Sequence, residues 1–299
     1  MRIQINDYCQ LQVSLRAAML ASMNRIELPG RDAVGIRANN PSPFTLTGTN
    51  TWIVGREPAW VIDPGPALAA HLDAISTEVD TRGGLGAVLL THDHADHCEG
   101  LPQLVERFSP VPVASARLPV GQPLPALSSH GPLPHIELHE GDQIGPLHVL
   151  AVPGHAPDHL VFVSTDGVAY SGDAVLGAGS VFVAAQLGDY LDGLRRVGLA
   201  LRELSGAMQP CLIAPGHGPL VLDAAAKLEE YITHRLARER RLLDALDQGL
   251  READQLLDAA WPEVTDDLRL AAGWTLAAHL EKLQSEGRLP DGVGWPLRP

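Results

Sequence analysis

Cysteine is scarce: Cys9, Cys98 and Cys211 are the only three in 299 residues. They are too few and too scattered for a disulfide framework, and none has the close pairing of a structural zinc site, so a reducing compartment is expected. Basic residues are also few, 22 Lys and Arg against 36 Asp and Glu, for a formal net charge of -14. That balance excludes broad electrostatic capture of nucleic acid, although bound divalent cations would reverse the sign locally. Long apolar runs are missing; Ala87-Val88-Leu89-Leu90 is typical, far short of the roughly 20 residues of a spanning helix. No membrane helix is predicted. Near the N-terminus, Asn6, Asp7, Gln10, Gln12 and Arg16 interrupt the apolar stretch that a secretion signal requires, so a cytoplasmic home is expected. There is no internal repeat and no low-complexity tract.

What is present suits a globular enzyme. With 45% hydrophobic and 19% charged residues, the chain can bury a full core and carry one large domain plus a small one. Short apolar runs bounded by Gly and Pro alternate with stretches of helical period, an α/β signature. Strands are predicted at Thr51–Val54, Trp60–Asp63, Ala87–Leu90, Leu147–Val152, Leu160–Val163, Val168–Tyr170 and Cys211–Ala214. Helices are predicted over Ala67–Val79, where Leu68, Leu72, Ile75 and Val79 share one face, and over Tyr190–Leu204. The Pro- and Gly-rich stretch from Pro110 to Gly145 reads as loops and short strands. Beyond Leu222 the chain becomes helical and charge-rich, with helices over Asp223–Leu246, Glu252–Ala260 and Asp267–Glu286. Three helices and a terminal turn suggest a small winged-helix-like module. The expected division is 1–25 as an extension of unassigned role, 26–222 as the large domain and 223–299 as the module.

The chemistry lies at strand ends. Ala87–Leu90 runs straight into Thr91-His92-Asp93-His94-Ala95-Asp96-His97, the position where α/β sheets place ligands. His92 and His94 lie two apart, so on an extended loop their rings point the same way, and Asp96 with His97 can serve a second ion nearby. Imidazole and carboxylate suit Zn²⁺, and three protein ligands with an open position is the catalytic arrangement rather than the structural one. Two later strands also end at candidate ligands, His155 and Asp173, and the turn Pro215-Gly216-His217-Gly218 supplies another.

His92-x-His94-x-Asp96-His97, His155 in Val152-Pro153-Gly154-His155, Asp173 in Ser171-Gly172-Asp173, and His217 resemble the ordered metal motifs of metallo-beta-lactamase-fold hydrolases. Thr45-Leu46-Thr47-Gly48-Thr49-Asn50-Thr51 and Tyr231-Ile232-Thr233-His234-Arg235 are similar to the branch called beta-lactamase-like protein 2, which carries a C-terminal winged-helix-like domain. The resemblance covers roughly residues 26 to 290. It implies an αββα sandwich with two metals at one edge. His92, His94 and His155 would hold the first ion, Asp96, His97 and His217 the second, and Asp173 would bridge them. It implies two Zn²⁺, with iron or manganese as alternatives, and a bridging hydroxide as nucleophile. Asp96 would also guide the proton of the attacking water, though a metal ligand is a poor free base.

Further positions carry weaker readings. Asp63, before Pro64-Gly65, matches a family position that holds a metal-binding His in orientation, and it is also an ordinary turn former. Cys98 reads as packing before soft ligand, and His159 as support for the His155 loop. His71, His130, His135, His139, His148 and His279 show no ligand spacing. His234 and Arg235 open a basic helix segment that reads equally as anionic-substrate contacts or as a solvated face with acidic partners.

The resemblance leaves the substrate between an anionic phosphodiester such as single-stranded RNA and a glutathione-type thioester. An iron-dependent sulfur dioxygenase and a beta-lactamase come lower. A flavin-linked di-iron reductase is disfavoured, because such proteins carry Glu where His94 stands. From Lys227 to Pro299 there are 10 basic and 14 acidic residues, a net of -4 and the wrong sign for a DNA reader. The module is expected to wall the cleft or to pair with a second subunit.

Overall fold

The computed structural model describes residues 24–119, 134–206 and 210–296. The expectation for residues 1–25 therefore falls almost wholly outside the described residues, as does part of the stretch from Pro110 to Gly145.

Among the described residues, twelve strands form two sheets. The first takes β1 (Arg25–Glu27), β2 (Ala33–Arg37), β3 (Asn50–Val54), β4 (Ala59–Ile62), β5 (Leu85–Leu89), β6 (Val113–Ser115) and β7 (His135–Glu137), side by side in chain order. The second takes β8 (Gln143–Ile144), β9 (Leu147–Ala151), β10 (Leu160–Ser164), β11 (Val168–Gly172) and β12 (Leu212–Pro215), again as neighbours in order. The helices are α1 (Ala69–Thr81), α2 (Ala95–Cys98), α3 (Leu101–Phe108), α4 (Leu187–Leu204), α5 (Ala224–Asp247), α6 (Ala253–Ala260) and α7 (Arg269–Ser285), the last preceded by a 3₁₀ turn over Asp266–Leu268.

Strand alternation explains the layering, since successive side chains face opposite sides of a sheet. Trp52, Val54, Ile62 and Leu89 point inward from the first sheet and meet Leu147, Val149, Leu160, Phe162 and Tyr170 of the second. The intervening residues of the first sheet, Ile53, Val61 and Val88, pack outward on Ile75 and Val79 of α1 and on Leu101, Leu104 and Val105 of α3. Val161, Val163 and Ile213 of the second sheet pack outward on Tyr190, Leu191 and Leu194 of α4 and on Leu228 and Tyr231 of α5. The result is an αββα sandwich.

The C-terminal region is helical. Leu242 and Leu246 at the far end of α5 join Leu256, Leu257, Trp261, Leu276 and Leu280 in a separate core. Helix α5 thus spans two cores, its first half packed on the sandwich and its second on the module. Among the described residues after β12 there is no strand, so the winged-helix-like expectation reduces here to helices alone. Among them, too, no helix is long and apolar enough to cross a membrane.

One consequence of the topology prepares the site. β9 and β11 are both antiparallel to β10, and β12 is parallel to β11, so β9, β11 and β12 end at one edge. The end of β5 joins them there: Leu160 N–H donates to Thr91 O at 2.7 Å, tying the two sheets together.

Phe162 is fully buried between the sheets. Phe162→Ala is expected to destabilise the fold by about 3–5 kcal/mol through lost burial and a residual cavity, measured as a shift of the urea unfolding midpoint. A loss under about 1 kcal/mol would show that the inter-sheet core is not closely packed.

Candidate metal centre

Four loops deliver the site. The loop after β5 carries His92 and His94 and passes into α2, whose single turn presents Asp96 and His97. The loops after β9, β11 and β12 bring His155, Asp173 and His217. Three overlapping groups result, His92/His94/His155, His92/His97/Asp173 and Asp96/His97/His217, with ligand atoms within 4.8 Å of one another in each. His94 Nδ1 and His155 Nε2 are 3.1 Å apart, and His97 Nε2 and His217 Nε2 are 3.3 Å apart. Asp96 Oδ2 lies 3.2 Å from His217 Nε2. Asp173 stands between the sets: one oxygen is 3.5 Å from His155 Nε2 and 3.3 Å from His217 Nε2, and the other is 3.4 Å from His97 Nε2.

The rings are aimed by what they touch on their outer side, as is usual for metal-ligating histidines. Thr91 Oγ–H donates to Asp63 Oδ2 at 2.7 Å, so its oxygen accepts from His92 Nδ1 at 2.9 Å and leaves the His92 Nε2 lone pair free. His97 Nδ1 donates to Asp63 Oδ2 at 2.9 Å, and His155 Nδ1 donates to Phe182 O at 3.1 Å. Thr49 Oγ–H donates to Asp96 Oδ2 at 3.1 Å. The His217 turn is stapled to β3, where Asn50 Nδ2 donates to Pro215 O and Gly218 O, each at 3.0 Å, and Trp52 Nε1 donates to Pro215 O at 3.0 Å. The turn needs Gly216: a Cβ there would fall 2.5 Å from Asp173 Oδ1 and 2.7 Å from His97 Cε1.

These residues fit metal ions on two counts. His92 Nε2 and Asp173 Oδ1 are buried without a hydrogen-bond partner, which is costly unless something else satisfies them. The nitrogen and oxygen separations also match the edges of a tetrahedral shell of ligands about 2.0–2.1 Å from an ion, which are roughly 3.3 Å long.

The structure refines several sequence readings. His159 does more than support its loop: its Nε2 accepts the Asp173 N–H at 3.1 Å, and its ring stacks on His92 with centroids 4.8 Å apart. Cys98 stays outside the ligand groups; its buried Sγ donates weakly to Asp93 O, and burial pushes the thiol up to about 12. The roles of Thr49 and Phe182 escaped the sequence reading because they act through hydrogen bonds to ligands distant in the chain, and that of Thr91 because its bond to the neighbouring His92 depends on Asp63, which lies far from it in sequence. His234 and Arg235 are not brought into the cluster. Arg235 is not on a solvated face either: it is buried, with Nη2 donating to Ser180 Oγ and Val181 O.

The metallo-beta-lactamase superfamily model matches residues 44–229. The chain belongs to this superfamily. Among relatives, a lactamase-like protein nscB from Trichophyton rubrum is 34% identical over 267 residues, covering 88% of this chain and 74% of the relative. A beta-lactamase-like protein 2 homolog from Drosophila melanogaster is 31% identical over 274 residues, 84% of this chain and 87% of the relative. Of solved structures, a metallo-beta-lactamase family protein from Thermus thermophilus aligns at TM-score 0.62 and 26% identity, covering 87% of this chain and 95% of that one. A beta-lactamase domain protein from Burkholderia ambifaria shares the fold at TM-score 0.66 and 22% identity over 90% and 91% of the two chains. Members of the metallo-beta-lactamase superfamily are generally metal-dependent hydrolases, and the chain is an enzyme of that kind.

The two halves of the centre differ in protonation. Burial holds His92 well below the ordinary histidine range, aided by the charge on His97, and burial also lowers His155. Burial would lower His97 and His217 as well, but carboxylates outweigh it. Asp173, Asp63 and Asp96 hold His97 well above its usual value, and Asp173 and Asp96 raise His217 to about 9. In the metal-free chain these raised values stabilise the fold below the ordinary histidine pKa, and that contribution is lost as pH rises through about 9 for His217. A cation competes for the same nitrogens, so its affinity runs the opposite way with pH. Zinc titration of metal-free protein should show one ion taken up with little pH dependence and a second whose affinity climbs from pH 7 to 9 with proton release. Calorimetry in buffers of different ionisation enthalpy reads this, and two ions bound without buffer dependence would contradict it.

Proposed function

We propose that the chain is a binuclear zinc hydrolase acting on an anionic substrate, with a phosphodiester of the single-stranded RNA kind favoured over a glutathione-type thioester. The observation that carries the binuclear reading is the carboxylate of Asp173, whose oxygens face His155 on one side and His97 and His217 on the other. His92, His94 and His155 would hold one ion, Asp96, His97 and His217 the other, and Asp173 would join both. Two divalent ions there would supply an acidified water and polarise the scissile group. Around them the chain's own groups do the positioning. Asp63 and Thr91 fix the rings of His97 and His92, and His159 holds the Asp173 backbone. Asp96 is partly exposed, and the charges of His97 and His217 outweigh its burial and hold it below the usual carboxylate range. It stays ionised, which suits a metal ligand and a hydrogen-bond acceptor that orients the attacking water rather than a base that takes up its proton.

A second observation bears on the substrate. Phe44, 58% exposed, lies with its ring centroid 6.4 Å from that of Phe182, the residue whose carbonyl holds His155. Exposed aromatic faces beside a hydrolytic centre suit unstacked bases, each worth about 1–3 kcal/mol. The net charge of -14 opposes a long footprint, so a short single strand is the expected ligand. The buried free thiol of Cys98 accords with a cytoplasmic setting.

Asp173→Ala should abolish turnover and lower zinc content while the far-UV spectrum is retained. Near-normal turnover with two ions bound would remove Asp173 from its bridging role. Zinc-loaded enzyme assayed side by side on single-stranded RNA, a generic phosphodiester and S-lactoylglutathione decides the substrate class. Rapid thioester hydrolysis without RNA cleavage would overturn the phosphodiester preference. Phe44→Ala should raise KM for RNA several-fold and leave kcat and zinc content unchanged; an unaltered KM would discard the stacking role.

A further inference from the structure

Apart from the metal centre, the described residues enclose a hollow of mixed lining between α5, α7 and the segment from Ser180 to Phe182. This cavity of about 170 Å³ is lined by Arg235, Arg238, His234, Trp261, Glu263 and Thr275 among others. At roughly 30 Å³ per water, it has room for a group of five or six water volumes. Exposed His234 and Ser180 on its lining leave it open to solvent.

Two arginines and one glutamate stand in its otherwise largely apolar wall. Arg235 is 3% exposed and Arg238 is 4% exposed, and the Nε of each is buried without a hydrogen-bond partner. Arg238 is joined to Glu263 and to Ala260 O. Arg235 has no such carboxylate among the described residues: its Nη2 goes to Ser180 Oγ and Val181 O, and the Tyr190 ring lies 5.9 Å from its guanidinium carbon. One turn along α5, Glu239 is already taken by Lys282 at 2.8 Å and Arg288 at 3.1 Å. A buried guanidinium without a counter-charge is unfavourable, and Glu263 offsets only one of the two arginines lining the cavity. His234 feels the excess; burial first, then Arg238, Arg235 and Arg241, push its pKa down.

We propose that this cavity is a binding site for one tetrahedral oxyanion of the phosphate class, free or as the terminal group of a larger molecule, held by Arg235 and Arg238. Guanidinium N–H groups match such oxygens in geometry and charge. The site is separate from the metal centre but linked to it. Consecutive carbonyls of one segment receive the two sides, Val181 O from Arg235 and Phe182 O from His155. Occupancy would therefore steady the segment that orients a metal-site histidine. The proposal does not rest on the hydrolytic reading and can hold if that reading fails.

The test uses zinc-loaded full-length protein titrated with inorganic phosphate and, separately, with phenyl phosphate, chloride keeping the ionic strength constant. Crystals soaked in selenate locate the anion by its anomalous signal. The expected results are a selenate peak between Arg235 and Arg238 and saturable phosphate binding weakened at least tenfold in Arg238→Gln. Where Arg238→Gln alters the far-UV spectrum or zinc content, Arg238→Lys replaces it, with a weakening of at least threefold expected. Phenyl phosphate binding alongside phosphate assigns the site to a terminal group of a larger molecule; binding of phosphate alone assigns it to the free ion. Selenate found only at the metal centre, or phosphate binding unchanged in the folded variant, overturns the proposal.

Discussion

The Asp63 carboxylate, at the end of β4, accepts three hydrogen bonds: Thr91 N–H at 2.8 Å, Thr91 Oγ–H at 2.7 Å and His97 Nδ1–H at 2.9 Å. Through Thr91 it also sets the ring of His92. One buried side chain thus orients a histidine in each half of the centre and joins the ends of β4 and β5. The backbone bears a cost for this, since Asp63 has φ +52, a left-handed conformation that a non-glycine residue keeps only when its surroundings impose it. Its carbonyl is gripped by Thr51 Oγ–H at 2.6 Å, and its N–H donates to Leu89 O. Converging imidazoles repel when protonated and lose hydrogen bonds when neutral, so a fixed outer carboxylate is what lets them share a small volume before any cation arrives.

The helical module contributes to the same end from the other side. The segment leaving Asp173 runs past Phe182, the partner of His155, and is held by one contact from α4 and two from the C-terminal helices. Tyr190 Oη donates to Ala174 O at 2.7 Å, Tyr231 Oη accepts from Leu176 N–H at 2.9 Å, and Thr275 Oγ accepts from Val183 N–H at 3.3 Å. Helix α5 transmits this support because its first half lies in the sandwich core and its second in the module core. The module therefore acts on the centre through backbone position, while no residue of it stands in the three ligand groups.

Much of this was legible before any coordinates. Strand and helix positions in the sandwich agree with the periodicity to within a few residues, because buried strands and one-sided helices write their faces into the apolar spacing. Strands β1 and β2 and helix α3 were not anticipated. β1 is a three-residue edge strand with little apolar content, and α3 follows the histidine loop without a strong cap. His92, His94, Asp96 and His97 stood out as a local motif, whereas His155, Asp173 and His217 could be grouped with them only through resemblance to a family.

The sequence by itself determined the α/β class and the first four candidate donors, His92, His94, Asp96 and His97, since both depend on local patterns: apolar period, glycine-bounded turns, and histidines two and three apart. Only the tertiary structure decided how those donors meet. Parallel running of β9, β11 and β12 places three distant loops at one edge, and hydrogen bonds to Thr91, Asp63 and Phe182 choose which nitrogen of the His92, His97 and His155 rings faces inward. Arg235 shows the same limit. Its charge was plain in the sequence, but whether it met water, acid or a cavity depended on the packing of α5 against residues more than fifty positions away, which no local pattern encodes.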